Sequence, residues 1–297
     1  MKTLITGSSG LIGTALTSHL RSAGHQTVRL VRRAAGPGEV TWNPPAGTID
    51  AAGLEGIDSV VHLAGAGIGD KRWSDSYRRE ILESRTVTTD LLARTLAGLE
   101  TPPAVLLSGS AIGWYGDRGD ELLDESSSGS TGFLAEVCQA WEAATQPAEA
   151  AGIRVAHLRT GIVLSPAGGA LRKLLPLFRL GLGGRFGNGR QWQSWISIDD
   201  HIRAVEYLLT ADIAGAVNLT APGAVTNRDF TKVLAQVLHR PAVMTVPSFA
   251  PKLLLGGELA DALLFTGQRV QPARLQSSGF EFRHPTLDGA LRSLLKK

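Results

Sequence analysis

The chain has 297 residues, of which 43% are hydrophobic and 19% charged, enough apolar material for a substantial core without disulfide or metal staples. Its formal net charge is +3, and no basic run is longer than Arg32-Arg33 or Lys296-Lys297, which argues against a nucleic-acid surface. The single cysteine, Cys138, excludes an intrachain disulfide and any multi-cysteine metal site; no metal centre is expected. A reducing compartment is the simplest fit. No apolar run reaches membrane-spanning length, and the first strand pattern starts at Lys2 with no signal or transit segment before it. The expectation is therefore a cytoplasmic protein with neither a membrane nor a nucleic-acid partner.

Lys2 to Thr6 reads as a short buried strand. Gly7-Ser8-Ser9-Gly10-Leu11-Ile12-Gly13 follows, then an apolar stripe at Leu11, Ile12, Ala15, Leu16 and Leu20 with helical spacing, ending at Ala23-Gly24. Strand, glycine turn and helix form the context of a dinucleotide fingerprint. Gly7 permits the sharp turn off the strand, Gly10 leaves room for backbone amides to approach a pyrophosphate, and Gly13 lets the helix pack close to the sheet. The free amides and positive end of the helix then hold the phosphates, with Ser9, Leu11 and Ile12 in the same turn.

Thr27 to Arg32 reads as the second strand. A carboxylate at its end favours the 2′-hydroxyl of NAD; a basic residue suits the 2′-phosphate of NADP. Here the residues are Arg32-Arg33, so NADP(H) is the expected cofactor, surface arginines facing water being the alternative. A short strand is expected around Val40-Trp42. Asp58 to Ala64 reads as a buried strand, in which His62 is an interior histidine rather than a catalyst. Leu63-Ala64-Gly65 then sits where a cofactor crosses the strand ends.

A long helix is expected from Ser74 or Asp75 to about Gly98, with Ile81, Val87, Leu91, Leu92 and Leu96 buried and Arg85 interrupting that side. Glu80, about one turn away, is placed to orient Arg85 by an ion pair. Ala104 to Ser108 reads as a strand leading into a hydroxyl- and aromatic-rich loop, Ser108 to Gly116, the place where α/β sheets put chemistry. Asp117 to Glu125 reads as exposed loop. Phe133 to Ala151 reads as a helix with Leu134, Val137, Cys138 and Trp141 on one face. Ile153 to Leu164 reads as one long strand, within which Arg159 needs a partner; a bound phosphate is one candidate. Strand and helix alternate to this point, so the fold class is α/β, a Rossmann-type doubly wound parallel sheet.

From about Ser165 the pattern changes, and a smaller α+β substrate lobe is expected over residues 166–297, with residues 1–165 as the nucleotide-binding domain. Ala170 to Leu180 and His201 to Leu209 read as helices, Gly181 to Gly189 as a glycine-rich loop, and Val217 to Thr220 as a strand. Thr226-Asn227-Arg228-Asp229 resembles a capping box opening a helix to His239. The remainder from Val246 reads as mostly helical.

Thr6-Gly7-Ser8-Ser9-Gly10-Leu11-Ile12-Gly13 has the T-G-x-x-G-x-x-G form of extended short-chain dehydrogenase/reductases. Together with Leu63-Ala64-Gly65, Asp70-Lys71-Arg72-Trp73, Ser84-Arg85, Ser110 to Gly116, Leu158-Arg159-Thr160-Gly161, Gly187 to Ile196 and Gly267-Gln268-Arg269-Val270, it resembles the atypical "epimerase family protein" subgroup of the NAD(P)-dependent epimerase/dehydratase superfamily. The resemblance covers essentially the whole chain. It implies NADP bound by the glycine turn, Arg32, Leu63-Ala64, Arg85 and Arg159. It departs from the superfamily's Ser and Tyr-x-x-x-Lys set: aligning Glu142 with the acidic residue that usually follows puts Cys138 at the Lys position and Leu134 at the Tyr position, while Ser110 matches the Ser.

The catalytic candidates are therefore Ser110, as a hydrogen-bond donor to a substrate oxygen, and Tyr115, as acid/base or as an aromatic wall. Cys138 is placed in the core rather than as a nucleophile, and Asp199-Asp200 as helix cap and dipole partners. Trp73, Trp114, Trp192 and Trp195 line a substrate pocket or pack the two lobes together, and Arg190 binds a substrate anion or faces water. Two functions follow: an NADP(H)-dependent oxidoreductase or epimerase acting on a small molecule, or a catalytically silent NADP(H) sensor. Oligomeric state is left open, a homodimer being one option.

Overall fold

The computed structural model describes residues 1–296. The core of the fold is a sheet of eight strands: β1 (Lys2–Thr6), β2 (Gln26–Val31), β3 (Glu39–Asn43), β4 (Thr48–Ile49), β5 (Ser59–His62), β6 (Val105–Ala111), β7 (Arg154–Thr160) and β8 (Gly215–Leu219). Their spatial order is β8-β7-β6-β5-β1-β2-β3-β4. Every pair is parallel except β3 with β4. Apolar residues occupy successive positions because both faces are covered. Ile5, Val61, Leu107, Ala156 and Val217 pack with Leu16 and Leu20 of helix α1 (Leu11–Ser22) and with Ala204, Val205 and Leu208 of the helix Ile198–Thr210. Their neighbours Leu4, Val60, Leu106 and Val155 face the other way, onto Leu92, Ala93 and Leu96 of helix α2 (Asp75–Ala97) and onto Ala148.

The chain leaves β1 toward β2 on one side and returns as β5 on the other. This reversal opens a crevice at the carboxyl ends of β1 and β5, the place where open α/β sheets bind ligands.

The second core lies in the C-terminal lobe, where Leu171, Leu175 and Phe178 of the helix Gly169–Arg179 meet Trp195, Phe230, Leu234, Leu287 and Leu291. The lobe does not begin cleanly after residue 165. The helix Ile198–Thr210 lies on the main sheet and β8 forms its edge, so the chain returns to the nucleotide-binding side before the lobe is complete. Thr226 caps the helix Asn227–Leu238 as expected, accepting from the Asp229 amide at 3.2 Å, and the Thr226 hydroxyl bonds the Asp229 carboxylate at 2.6 Å.

Four further expectations are corrected. The helix predicted over 133–151 is two, α3 (Phe133–Ala143) and Gln146–Ala150, because Pro147 cannot donate into a continuing helix and instead sits in the first turn of a new one. The long strand over 153–164 divides at Gly161, and Ile162–Leu164 pairs with Trp195–Ser197 outside the main sheet. The acidic segment after Asp117 is not all exposed loop: Leu122–Leu123 pairs with Arg269–Val270, and Leu123 is buried. Val87 is 50% exposed, since it points into the cleft described below rather than the core. Among the described residues no helix is long and apolar enough to cross a membrane.

Candidate nucleotide and substrate site

The crevice beside β1 is a cleft of about 840 Å³, within the roughly 300–1,000 Å³ of small-molecule sites. Gly7 to Gly10, Arg32, Arg33, Trp42, Leu63 to Ala66, Glu80 and Val87 are on its wall. Gly7 turns with φ +63°, and a side chain there would meet the Leu63 carbonyl carbon at 2.7 Å. A methyl on Gly13 would come within 2.2 Å of the Gly7 carbonyl oxygen. These contacts are what bring the start of α1 against the strand end. Gly10 caps α1 without a side chain, and the first turn carries no acidic residue, so its amides and positive dipole end remain available to an anion. Leu11 and Ile12 are half-buried and off the cleft wall; what they can offer a ligand is their backbone amides.

The turn is anchored from behind. Thr6 Oγ1 accepts from the amides of Leu63 at 3.0 Å and Ala64 at 3.1 Å, and lies 2.7 Å from His62 Nδ1. With its hydroxyl proton given to Nδ1, the imidazole donates from Nε2 to Thr89 Oγ1 at 2.9 Å. Complete burial holds His62 neutral, its pKa pushed down to about 4. It is the interior histidine expected.

At the end of β2, Arg33 forms a two-pronged pair with Glu39 at 2.7 Å, and Arg29 reaches the same carboxylate at 3.1 Å. The sequence reading found no carboxylate here because Glu39 comes from the neighbouring strand, where Arg29 is its register partner. Arg32 is exposed on the cleft wall and has no ion-pair partner among the described residues. Glu80 does not orient Arg85: it pairs with Lys71 at 3.2 Å. Arg85 instead donates to the carbonyls of Ile81 and Ala66, each at 2.9 Å, lies against Gly65, and stacks over Trp141 at 5.0 Å.

A second cavity of about 210 Å³ is lined by Arg85, which is not on the wall of the first. Leu134, Cys138 and Trp141 of α3 form one wall, Ala111 to Gly113 a second, Trp192 to Ser194 a third, and Ala262 to Leu264 with Thr266 to Gln268 a fourth. Cys138 is buried, its thiol pushed up to about 11 by burial with the Glu142 charge adding to it. Among the described residues, Arg85 and Cys138 are the only ionisable side chains on this wall.

Ser110 and Tyr115 lie behind the cavity, not in it. Ser110 ends up within β6 rather than in a loop, and donates to Glu142 Oε1 at 2.7 Å. Tyr115 is 0% exposed; its hydroxyl donates to Asn218 Oδ1 at 2.8 Å and accepts from Arg159 at 3.1 Å. The partner Arg159 needed is Glu142, bound by two prongs at 2.8 and 2.9 Å, with Trp114 stacked on the guanidinium at 3.9 Å. Arg159 is thus enclosed in a buried Ser110–Glu142–Arg159–Tyr115–Asn218 network and is not on the cleft wall. One signal in the sequence pointed to this pair: Glu142 falls on the buried face of α3, four residues after Cys138, where a carboxylate requires a cation.

Of the four tryptophans, only Trp192 lines the cavity, with its indole donating to Asp120 at 2.7 Å. Trp195 is fully buried in the lobe core and donates to the Gly223 carbonyl, Trp73 packs on Phe133, and Trp114 backs Arg159. Arg190 is exposed and off the cavity. Ser197 rather than an aspartate caps the helix Ile198–Thr210; Asp200 is buried in its first turn, accepting from the amides of Arg283 and His284. Cavity residues that the sequence did not point to include Ala262 to Leu264 and, as a pocket wall rather than core, Trp141.

Residues 3–220 match the model of the NAD dependent epimerase/dehydratase family, and residues 246–294 that of a domain of unknown function, DUF1731. The epimerase family protein Mb2239 of Mycobacterium bovis is 45% identical over 97% of this chain and 95% of its own. The human epimerase family protein SDR39U1 is 35% identical over 99% of this chain and 100% of its own. A crystal structure of human SDR39U1 (isoform 2) with NADPH superposes with a TM-score of 0.91 at 34% identity, covering 99% of both chains.

Proposed function

The chain belongs to the NAD dependent epimerase/dehydratase family, and from that premise we propose that it binds NADP(H) in the 840 Å³ cleft and serves as an oxidoreductase of the short-chain dehydrogenase type on a small molecule held in the 210 Å³ cavity. The observation that carries the cofactor half is Arg32: of the three arginines at this end of the cleft, Arg29 and Arg33 are taken by Glu39 and Arg32 is not. It would grip the 2′-phosphate, the amides of the first turn of α1 would hold the diphosphate, and Leu63 to Gly65 would lie along the ribose and nicotinamide. The related human protein carries NADPH in its crystal structure, which supports the same choice. A bound nicotinamide supplies hydride chemistry.

What this chain's residues add is positioning and exclusion of water. Arg85, on the cavity wall, holds Ala66 of the cleft wall through its carbonyl. Among the described residues, no side chain on the cavity wall matches the family's Tyr/Lys pair: Leu134 has no ionisable proton, and Cys138 is a buried thiol. That absence favours the second reading, a sensor whose partner or assembly state follows NADP(H) occupancy.

Calorimetry separates these. Wild type should bind NADPH more tightly than NADH. Arg32→Ala should weaken NADPH by about ten- to a hundredfold, the worth of a charge-assisted hydrogen bond, and leave NADH unchanged. Binding of neither coenzyme, or equal loss for both, overturns the cofactor assignment. NADPH oxidation with carbonyl compounds supports the enzyme reading. A loaded protein that never turns over, but changes its assembly with NADPH, supports the sensor.

A further inference from the structure

The C-terminal lobe carries a third cavity, of about 740 Å³, which shares no lining residue with the cleft or with the 210 Å³ cavity. Its wall is built from the helix Asn227–Leu238 and from the parallel strand pair Gly184–Phe186 and Met244–Val246. Side chains alternate along a strand: Phe186 meets Phe265 edge-on, and Arg185 before it takes the opposite face.

The wall is cationic. Arg185, Arg228, Lys232 and Arg240 line it, and no carboxylate does. Among the described residues none of the four has an ion-pair partner. Arg228 and Arg240 donate only to the backbone carbonyls of Asn188, Arg179 and His239, which neutralise neither charge. Elsewhere this chain settles its arginines differently: Arg33 and Arg159 are each met by a glutamate from another element.

The charges also stand against local preference. Arg228 and Lys232 are four residues apart on one helix, where like charges repel, and Arg228 is in the first turn, at the positive end of the dipole. His239, also on the wall, ends that helix at φ +53°. It is the one non-glycine residue with positive φ among the described residues, at a position where glycine is usual.

Charge and size together select a ligand. Four permanent cations around one space suit about four negative charges, and each phosphate group brings roughly −1.5 to −2 with three acceptor oxygens. The volume falls within the roughly 300–1,000 Å³ of small-molecule sites, and Ala235, Ala242, Val243 and Met244 offer apolar surface to a carbon body. We propose that this cavity binds a small organic compound bearing two phosphate groups, held by Arg185, Arg228, Lys232 and Arg240. The site is separate from the cofactor cleft, so both are filled at once.

The test is calorimetry with fructose 1,6-bisphosphate and inorganic pyrophosphate, with citrate and sulfate as rivals, in the presence and absence of saturating NADPH. At least one phosphate probe should bind one to one, equally well with NADPH present, and more weakly as salt is raised. Arg228→Gln combined with Lys232→Gln should weaken that probe by about tenfold or more and leave NADPH affinity unchanged. Arg185→Gln carries the same test should the double variant fail to fold. Silence from both phosphate probes, displacement by NADPH, equal binding of citrate or sulfate, or full affinity in both variants overturns the proposal. So does sedimentation with phosphatidylglycerol vesicles while the small probes stay silent, which would assign the cations to a membrane surface. Failure of NADPH to bind overturns the cofactor reading alone, since the variants at 185, 228 and 232 are read without it.

Discussion

Arg159→Met separates a structural role for this arginine from a cofactor role. In the native protein its guanidinium makes two bonds to Glu142, at 2.8 and 2.9 Å, one to the Tyr115 hydroxyl at 3.1 Å, and a stack on Trp114 at 3.9 Å, with both charges buried. Methionine fills much of the volume and removes all of these. Glu142 then keeps the Ser110 hydroxyl at 2.7 Å, with His157 the next cationisable group at 3.8 Å. Breaking a buried pair from one side costs about 3–5 kcal/mol, because the remaining charge is left uncompensated. With a urea slope of about 3 kcal/mol/M, that moves the unfolding midpoint down by roughly 1–1.7 M. Replacing both members, Glu142→Met with Arg159→Met, removes the stranded charge and should recover most of the loss. The assay is urea unfolding followed by tryptophan fluorescence, with NADPH affinity measured on the folded protein. The reasoning fails if Arg159→Met unfolds at the wild-type midpoint while its NADPH affinity falls tenfold or more; Arg159 would then hold the phosphate that the sequence reading offered it.

Acid sensitivity follows from two fully buried histidines. His62 and His201 are both pushed down to about 4 by burial, against 6.5 for a free side chain, so the unfolded chain binds more protons than the native one between those values. Stability should therefore fall as pH drops from 6.5 to 4, by about 3 kcal/mol for each histidine, and His62→Gln should flatten the urea midpoint's pH dependence over that window. Gly13→Ala should abolish measurable NADPH binding in calorimetry, since its methyl would collide with the Gly7 carbonyl oxygen at 2.2 Å; Gly98→Ala, whose nearest neighbour would be 3.6 Å away, should bind as wild type does. Cys138, 4% exposed with its thiol raised to about 11, should resist iodoacetamide at pH 8 in the native state and react once urea unfolds the chain, as read by mass spectrometry.

Local chemistry carried much of the fold in the residue order itself. A glycine at 7, 10 and 13 between an apolar strand and an apolar helical stripe specifies a strand–turn–helix wherever it occurs, because backbone sterics within a few residues decide it. The same holds for Ser74 and Thr226 as caps, whose hydroxyls reach only their own helix. The alternation of sheet strands and helices was legible from the same local patterns, and the absence of the Tyr/Lys pair at 134 and 138 from the resemblance to the family.

Tertiary structure decided which side chains meet. Glu39 claims Arg33 from the next strand, Glu142 claims Arg159 from a helix seventeen positions earlier, and Asn218 claims Tyr115 from the far edge of the sheet. Each ties up a side chain that its own segment would offer to the site. Trp195 sinks into the lobe core while Trp141 comes to the cavity wall, a choice that depends on how helices stack and not on the indole. The physical reason is range: turn sterics and capping act within one helical turn, whereas the partner of a buried charge or indole is set by packing between elements distant in the chain.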